Sequence, residues 1–245
     1  MKGFGGKDHK NKIKEAISFV NVENDEILKR ALKEHVNGNS LEAAKSYQYL
    51  IEKGFKDPRL FSNYAAIFQQ RGEIDKAIEF YKKSIKFFPN RPEAYSNLGL
   101  ILKNQGNLNE AEFLLKQAIQ IRPDFANALM NLGCLYGMIG KLNEAKSSLC
   151  KAIEINPNSI ESYYNLGTIL RDLGEFKEAE KITKRALELK SDFEPALANL
   201  SLLLCSNGKK EEALISIKKA LLINPNSIEN NLIKTVLESK NVKSE

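Results

Sequence analysis

Residues 94–123 read "AYSNLGLILKNQGNLNEAEFLLKQAIQIRP". Ala94, Leu98, Ile101 and Leu102 recur at three- and four-residue spacing, which predicts an amphipathic helix burying one face. Gly106 follows as the residue able to adopt the left-handed conformation that closes such a helix. A second stripe, Ala111, Leu114, Leu115, Ala118 and Ile119, predicts another helix, and Pro123 prevents its continuation. Asn109, and Asn143 in the matching place further on, stand where an N-cap is expected. Asp57-Pro58 reads as a cap followed by a first-turn proline.

The stretch repeats. Gly38, Gly72, Gly106, Gly140, Gly174 and Gly208 are each 34 residues apart, and Ala43, Ala77, Ala111, Ala145, Ala179 and Ala213 keep step five residues later. Pro89, Pro123, Pro157 and Pro225 mark unit ends, with Phe55 and Ser191 replacing proline in two units. This pattern resembles the tetratricopeptide repeat. Its usual aromatic place holds Phe61, Tyr95, Leu129, Tyr163 and Leu197 rather than tryptophan.

The resemblance covers residues 24–227 as six units, 24–57, 58–91, 92–125, 126–159, 160–193 and 194–227. Ala65, Gly99, Gly133, Gly167 and Ser201, facing alanines such as Ala111 and Ala145, allow the two helices of each hairpin to approach closely. Helices of about three turns are marginal alone in water and draw stability from neighbours, so the expected architecture is all-α: an α-solenoid of stacked helix-turn-helix units. The resemblance implies a superhelix. Residues 228–239 are expected to be a capping helix, with Ile228, Leu232, Ile233, Val236 and Leu237 on its buried stripe and Asn230 opposite, ahead of a polar tail to residue 245. Residues 1–23 are expected to form a basic, partly disordered tail with one short helix around Ile13, Ala16, Ile17 and Val20.

Asn63, Asn97, Asn131, Asn165 and Asn199 also recur every 34 residues, each two residues before the small packing residue. They share one face of the first helices, which in the tetratricopeptide repeat line the concave surface. The series resembles the asparagine ladder of the protein O-linked N-acetylglucosamine transferases. A carboxamide donates and accepts, so a row of them can grip an extended peptide backbone whatever its sequence. The bland alternative is that each amide bonds a neighbouring helix. The same register places Gln70, Lys103, Asn104, Met130, Met138, Tyr164 and Arg171 in the groove, with Met130, Cys134 and Met138 giving a soft middle. Lysine and arginine do not stand where a carboxylate clamp needs them.

The expected function is a non-catalytic scaffold binding an extended peptide of a protein partner. Two alternatives stay open: a substrate-targeting module working with a separate glycosyl-, sulfo- or methyltransferase, and a structural solenoid self-associating through its ends. His9 and His35 lie away from the groove, "GFGGKD" lacks phosphate-loop spacing, and no constellation for an enzyme emerges. Cys134, Cys150 and Cys205 make no CxxC and are expected as free thiols; neither metal nor cofactor is expected. The net charge of +6 is concentrated in residues 58–91 at +4 and 1–23 at +2, not in a continuous basic track, so no nucleic-acid partner is expected. No apolar stretch approaches the roughly 18 residues of a membrane span, so no membrane association is expected and the location is read as cytoplasmic.

Overall fold

A computed structural model of the chain describes residues 22–239, so the N-terminal tail up to residue 21 and residues 240–245 lie outside it. Among the described residues there are thirteen helices and no strand. They are α1 (residues 22–36), α2 (Ser40–Glu52), α3 (Pro58–Gln70), α4 (Ile74–Phe87), α5 (Pro92–Asn104), α6 (Leu108–Ile121) and α7 (Ala126–Met138). There follow α8 (Leu142–Ile155), α9 (Ile160–Asp172), α10 (Phe176–Leu189), α11 (Glu194–Ser206), α12 (Lys210–Ile223) and α13 (Ile228–Ser239). The class is an all-α solenoid of helical hairpins. The chain forms two compact bodies, up to Ile101 and from Leu102 onward, described in turn.

In the first body, α3 begins as Asp57 accepts the Arg59 backbone N–H at 2.8 Å, with Pro58 in the first turn. Gly72 closes it at φ 75°, a conformation that strains any residue with a Cβ. The next N–H, that of Glu73, then bonds back to the Phe68 carbonyl at 2.9 Å. α4 returns along α3. Tyr47, Leu50, Leu60, Ile67 and Tyr81 are fully buried, and Tyr64 packs at 4.5 Å and 4.9 Å, ring to ring, on Phe68 and Phe80.

In the second body consecutive helices pack pairwise from α6 to α13. The turn recurs: the N–H groups of Asn107, Lys141, Glu175 and Lys209 bond the carbonyls of Leu102, Tyr136, Leu170 and Leu204 at 2.8–2.9 Å. Each of these residues is then the N-cap, because its carbonyl accepts from the repeat alanine four positions on. Asn109 and Asn143 therefore sit inside the first turn, not at the cap where the sequence suggested them. Neither Asn107 nor Lys141 makes a side-chain cap, and the lysine ammonium has no acceptor to offer one.

Hairpins close at the small residues. A Cβ on Gly133 would lie 2.7 Å from Leu149 Cγ and 3.2 Å from the Ala145 carbonyl, and one on Gly167 would strike Thr183 Oγ1. Ser201 fits the same gap by donating to the Ala213 carbonyl at 2.9 Å. At the C-terminal side, Leu237 joins Leu197, Leu200, Leu204, Ala213, Ile217 and Ala220 in one core cluster, with Ile233 packed against it. The seated face of α13 differs from the expected stripe. Asn230, assigned to the polar side, is 2% exposed and donates to the Glu194 carboxylate, while Ile228, Leu232 and Val236 are 79%, 60% and 51% exposed. The Asn230 to Glu194 bond rotates the helix so that positions 230, 233 and 237 face the core.

Candidate functional site

The five asparagines lie on the first helices of successive hairpins, and their surroundings differ. In the first body Asn63, on α3, donates from Nδ2 to the Arg59 carbonyl one turn back at 2.8 Å. Asn97, on α5, hydrogen-bonds the hydroxyl of Tyr81, which donates to Gln69 Oε1 at 3.2 Å. Burial pushes the Tyr81 phenol up to about 12, so that hydroxyl keeps its proton. Asn63 and Asn97 line one recess of about 310 Å³ together with Arg59, Ser62, Ala66, Arg91 and Glu93. Burial alone would raise the Asp57 carboxyl, but Arg59, bound to it through Nε at 2.9 Å and Nη2 at 2.8 Å, holds it below the usual range. Gln70 is exposed at the end of α3.

In the second body Asn199, on α11, is 4% exposed and engaged at both ends. Its Oδ1 accepts from Arg171 Nη1 at 2.6 Å and its Nδ2 donates to Thr183 Oγ1 at 3.2 Å. The same guanidinium reaches Asp172 at 3.2 Å. Asn131 on α7, 7% exposed, and Asn165 on α9, half-buried, have no hydrogen-bond partner among the described residues, and neither amide has a polar atom fully sealed from solvent.

The difference has a local cause. Asn199 bonds the side chain sixteen residues before it, Thr183, and Asn97 bonds Tyr81 in the same relation. The corresponding residues for Asn131 and Asn165 are Leu115 and Leu149, fully buried and without a polar atom to offer. For Asn63 the residue is Tyr47, whose hydroxyl is buried and unpartnered because the Asn63 amide turns to its own helix instead.

Around the two free amides, Met130 is half-buried and Met138 is 60% exposed. Cys134 is partly exposed, and burial raises its thiol against the opposing pull of Lys103, so it stays protonated. Tyr164 meets Phe193 edge to face at 5.6 Å. Lys103 is half-buried and Asn104 exposed at the end of α5. Arg171 and Asn199 are thus brought into contact, and Asn63 and Asn97 line one recess. Among the described residues no group of three His, Cys, Asp or Glu side chains could hold a metal ion, and no helix is long and apolar enough to cross a membrane.

A second set of polar residues escaped the sequence reading. Glu180, 7% exposed on α10, accepts from Lys184 at 2.7 Å, Lys209 at 3.0 Å and Asn207 at 2.8 Å. Burial alone would raise its carboxyl, but these three donors hold it down at about 2. Lys146 pairs with Glu175 at 2.7 Å, and Glu112 stands 3.9 Å from Lys141. All three pairs join the residue after the repeat alanine to the residue after the next turn glycine, 29 positions on, and their sign alternates. The signal was present in the sequence as this alternation, Glu112/Lys141, Lys146/Glu175, Glu180/Lys209.

These features define a helical-hairpin repeat protein. Tetratricopeptide repeat models match residues 92–125, 151–181, 126–159 and 194–227, and a TPR repeat model matches 65–106. The chain belongs to the tetratricopeptide repeat proteins. No curated protein sequence matches it. Among solved structures it is similar to YrrB, described as a TPR protein with an unusual peptide-binding site, at 22% identity and TM-score 0.61, covering 78% of this chain and 99% of that one. It is also similar to PilF of Pseudomonas aeruginosa at 19% identity and TM-score 0.78, covering 88% and 98%. A third, MamA, has 29% identity and TM-score 0.58, covering 66% and 94%.

Proposed function

We propose that the chain is a non-catalytic scaffold that holds an extended segment of a partner protein against its first helices, in six repeats at 24–57, 58–91, 92–125, 126–159, 160–193 and 194–227. The observation that carries this reading is the pair of unpartnered carboxamides, Asn131 and Asn165, at equivalent positions one repeat apart. Each offers a donor and an acceptor toward a peptide backbone without first breaking an internal bond. Met130, Met138 and Tyr164 supply adaptable apolar contact beside them, and Lys103, Asn104 and Arg171 a polar rim. In the first body Asn63, Asn97 and Gln70 take the same role, with part of their capacity already used by Arg59 and Tyr81. Asn199 is a structural member of the series and orients Arg171. The peptide-binding site named for YrrB supports a peptide ligand for this fold.

The test compares partner capture by the wild type, by the double variant Asn131→Ala, Asn165→Ala, and by Asn199→Ala, with circular dichroism as the folding control. The double variant is expected to keep its helicity and lose its partner. A folded double variant that retains the same partner removes the ladder from the binding site.

A further inference from the structure

The outward face of α13 is an apolar surface that the groove does not use. Ile228, Leu232 and Val236, at successive turns, are 79%, 60% and 51% exposed, while the helix is anchored from behind by Leu237, Ile233 and the buried Asn230. Exposed Ile215 and Leu222 on α12 add further apolar area. A monomer keeps such stripes small. A head-to-tail neighbour would present α1, whose exposed residues between Val22 and Val36 are Glu23, Asp25, Glu26, Lys29, Arg30 and Lys33. Seating three aliphatic side chains on those charges would desolvate them without compensation.

The stripe is, however, complementary to itself. Turned antiparallel about Leu232, a second α13 brings Ile228 against Val236 and Leu232 against its own counterpart. Glu229 then falls opposite Thr235, and Glu238 lies beyond the helix start of the other copy, so no carboxylate opposes a carboxylate. We infer that the outer face of α13 is an interface with a second copy of this chain, the two helices lying antiparallel across a two-fold axis at Leu232. Such a contact is isologous and closes at two copies. One three-turn helix with a margin from α12 falls below the roughly 800 Å² per partner of a standard interface, so the dimer is weak, micromolar or above. This inference stands apart from the groove: a groove variant leaves the dimer intact, and an α13 variant leaves peptide capture by one copy intact.

The experiment is sedimentation equilibrium of the full chain from about 10 µM to about 1 mM, the range of weak and transient contacts. The wild-type mass is expected to rise from one protomer to two and stop there. Leu232→Glu and Ile228→Glu, both at exposed positions, are expected to keep the helical spectrum and weaken the dimer at least about tenfold. Because Leu232 meets itself, mixing Leu232→Glu with Leu232→Lys is expected to give a tighter dimer than either variant forms alone. A wild type monomeric throughout overturns the inference. So does a mass that grows past two, a dimer indifferent to both glutamates, or a mixture that stays monomeric.

Discussion

Replacing Glu180 by Gln is expected to destabilise the second body at neutral pH and to cost almost nothing near pH 2. The carboxyl is 7% exposed and is held at about 2, against an ordinary 4.5, by Lys184, Lys209 and Asn207. Each unit of separation between folded and unfolded values corresponds to about 1.4 kcal/mol, which sets an upper figure of about 3 kcal/mol. Lys184 and Lys209 are 48% and 43% exposed, and solvent screening of their charge reduces the working figure to about 1–2 kcal/mol. The folded value lies below the unfolded one, so this stability is present above about pH 4.5 and is lost as pH falls toward 2. Thermal melts of wild type and Glu180→Gln at pH 7 should therefore differ by about 3–6 °C, and the two curves should converge on acidification. A double-mutant cycle with Lys209→Gln should place part of the loss in that one inter-repeat pair. Equal melting temperatures at pH 7, or a gap that persists unchanged at low pH, would refute the reasoning.

Tyr47→Phe should be neutral or stabilising by about 1 kcal/mol, because it removes a buried hydroxyl with no partner from a ring that keeps its packing; chemical denaturation measures it. Gly133→Ala sets a gain of about 1 kcal/mol in helix propensity against a Cβ placed 2.7 Å from the fully buried Leu149 and 3.2 Å from a backbone carbonyl. The overpacking term, about 1–3 kcal/mol, should win, so the variant melts lower than wild type.

The hairpins were legible because their determinants are local. A glycine that can take a positive φ, an alanine five residues on and two apolar stripes decide each turn within about ten residues, and the structure has φ 75–82° at Gly72, Gly106, Gly140, Gly174 and Gly208. The N-cap position was misjudged by two residues because Asn109 and Asn143 have the favoured side chain, whereas the backbone turn needs none. The face of α13 was misjudged because periodicity sees five apolar residues as equal, and the Asn230 to Glu194 bond, from a helix in the preceding hairpin, selects which of them are buried.

The asparagine series shows where periodicity stops being informative. Position within the repeat assigns all five residues to one helix face, but the state of four of the amides follows the residue sixteen positions earlier, while Asn63 turns to its own helix beside the unpartnered Tyr47 hydroxyl. Thr183 and Tyr81 offer a polar atom there and engage Asn199 and Asn97; Leu115 and Leu149 offer none and leave Asn131 and Asn165 free. A leucine at that place does two things at once: it fills the hairpin core and leaves the carboxamide above it unbound. An array can therefore carry asparagine in every unit and still leave a carboxamide wholly free only where an aliphatic side chain lies beneath. The variation that sets which amides are free is then in the core of the second helix, not on the face that carries the asparagines.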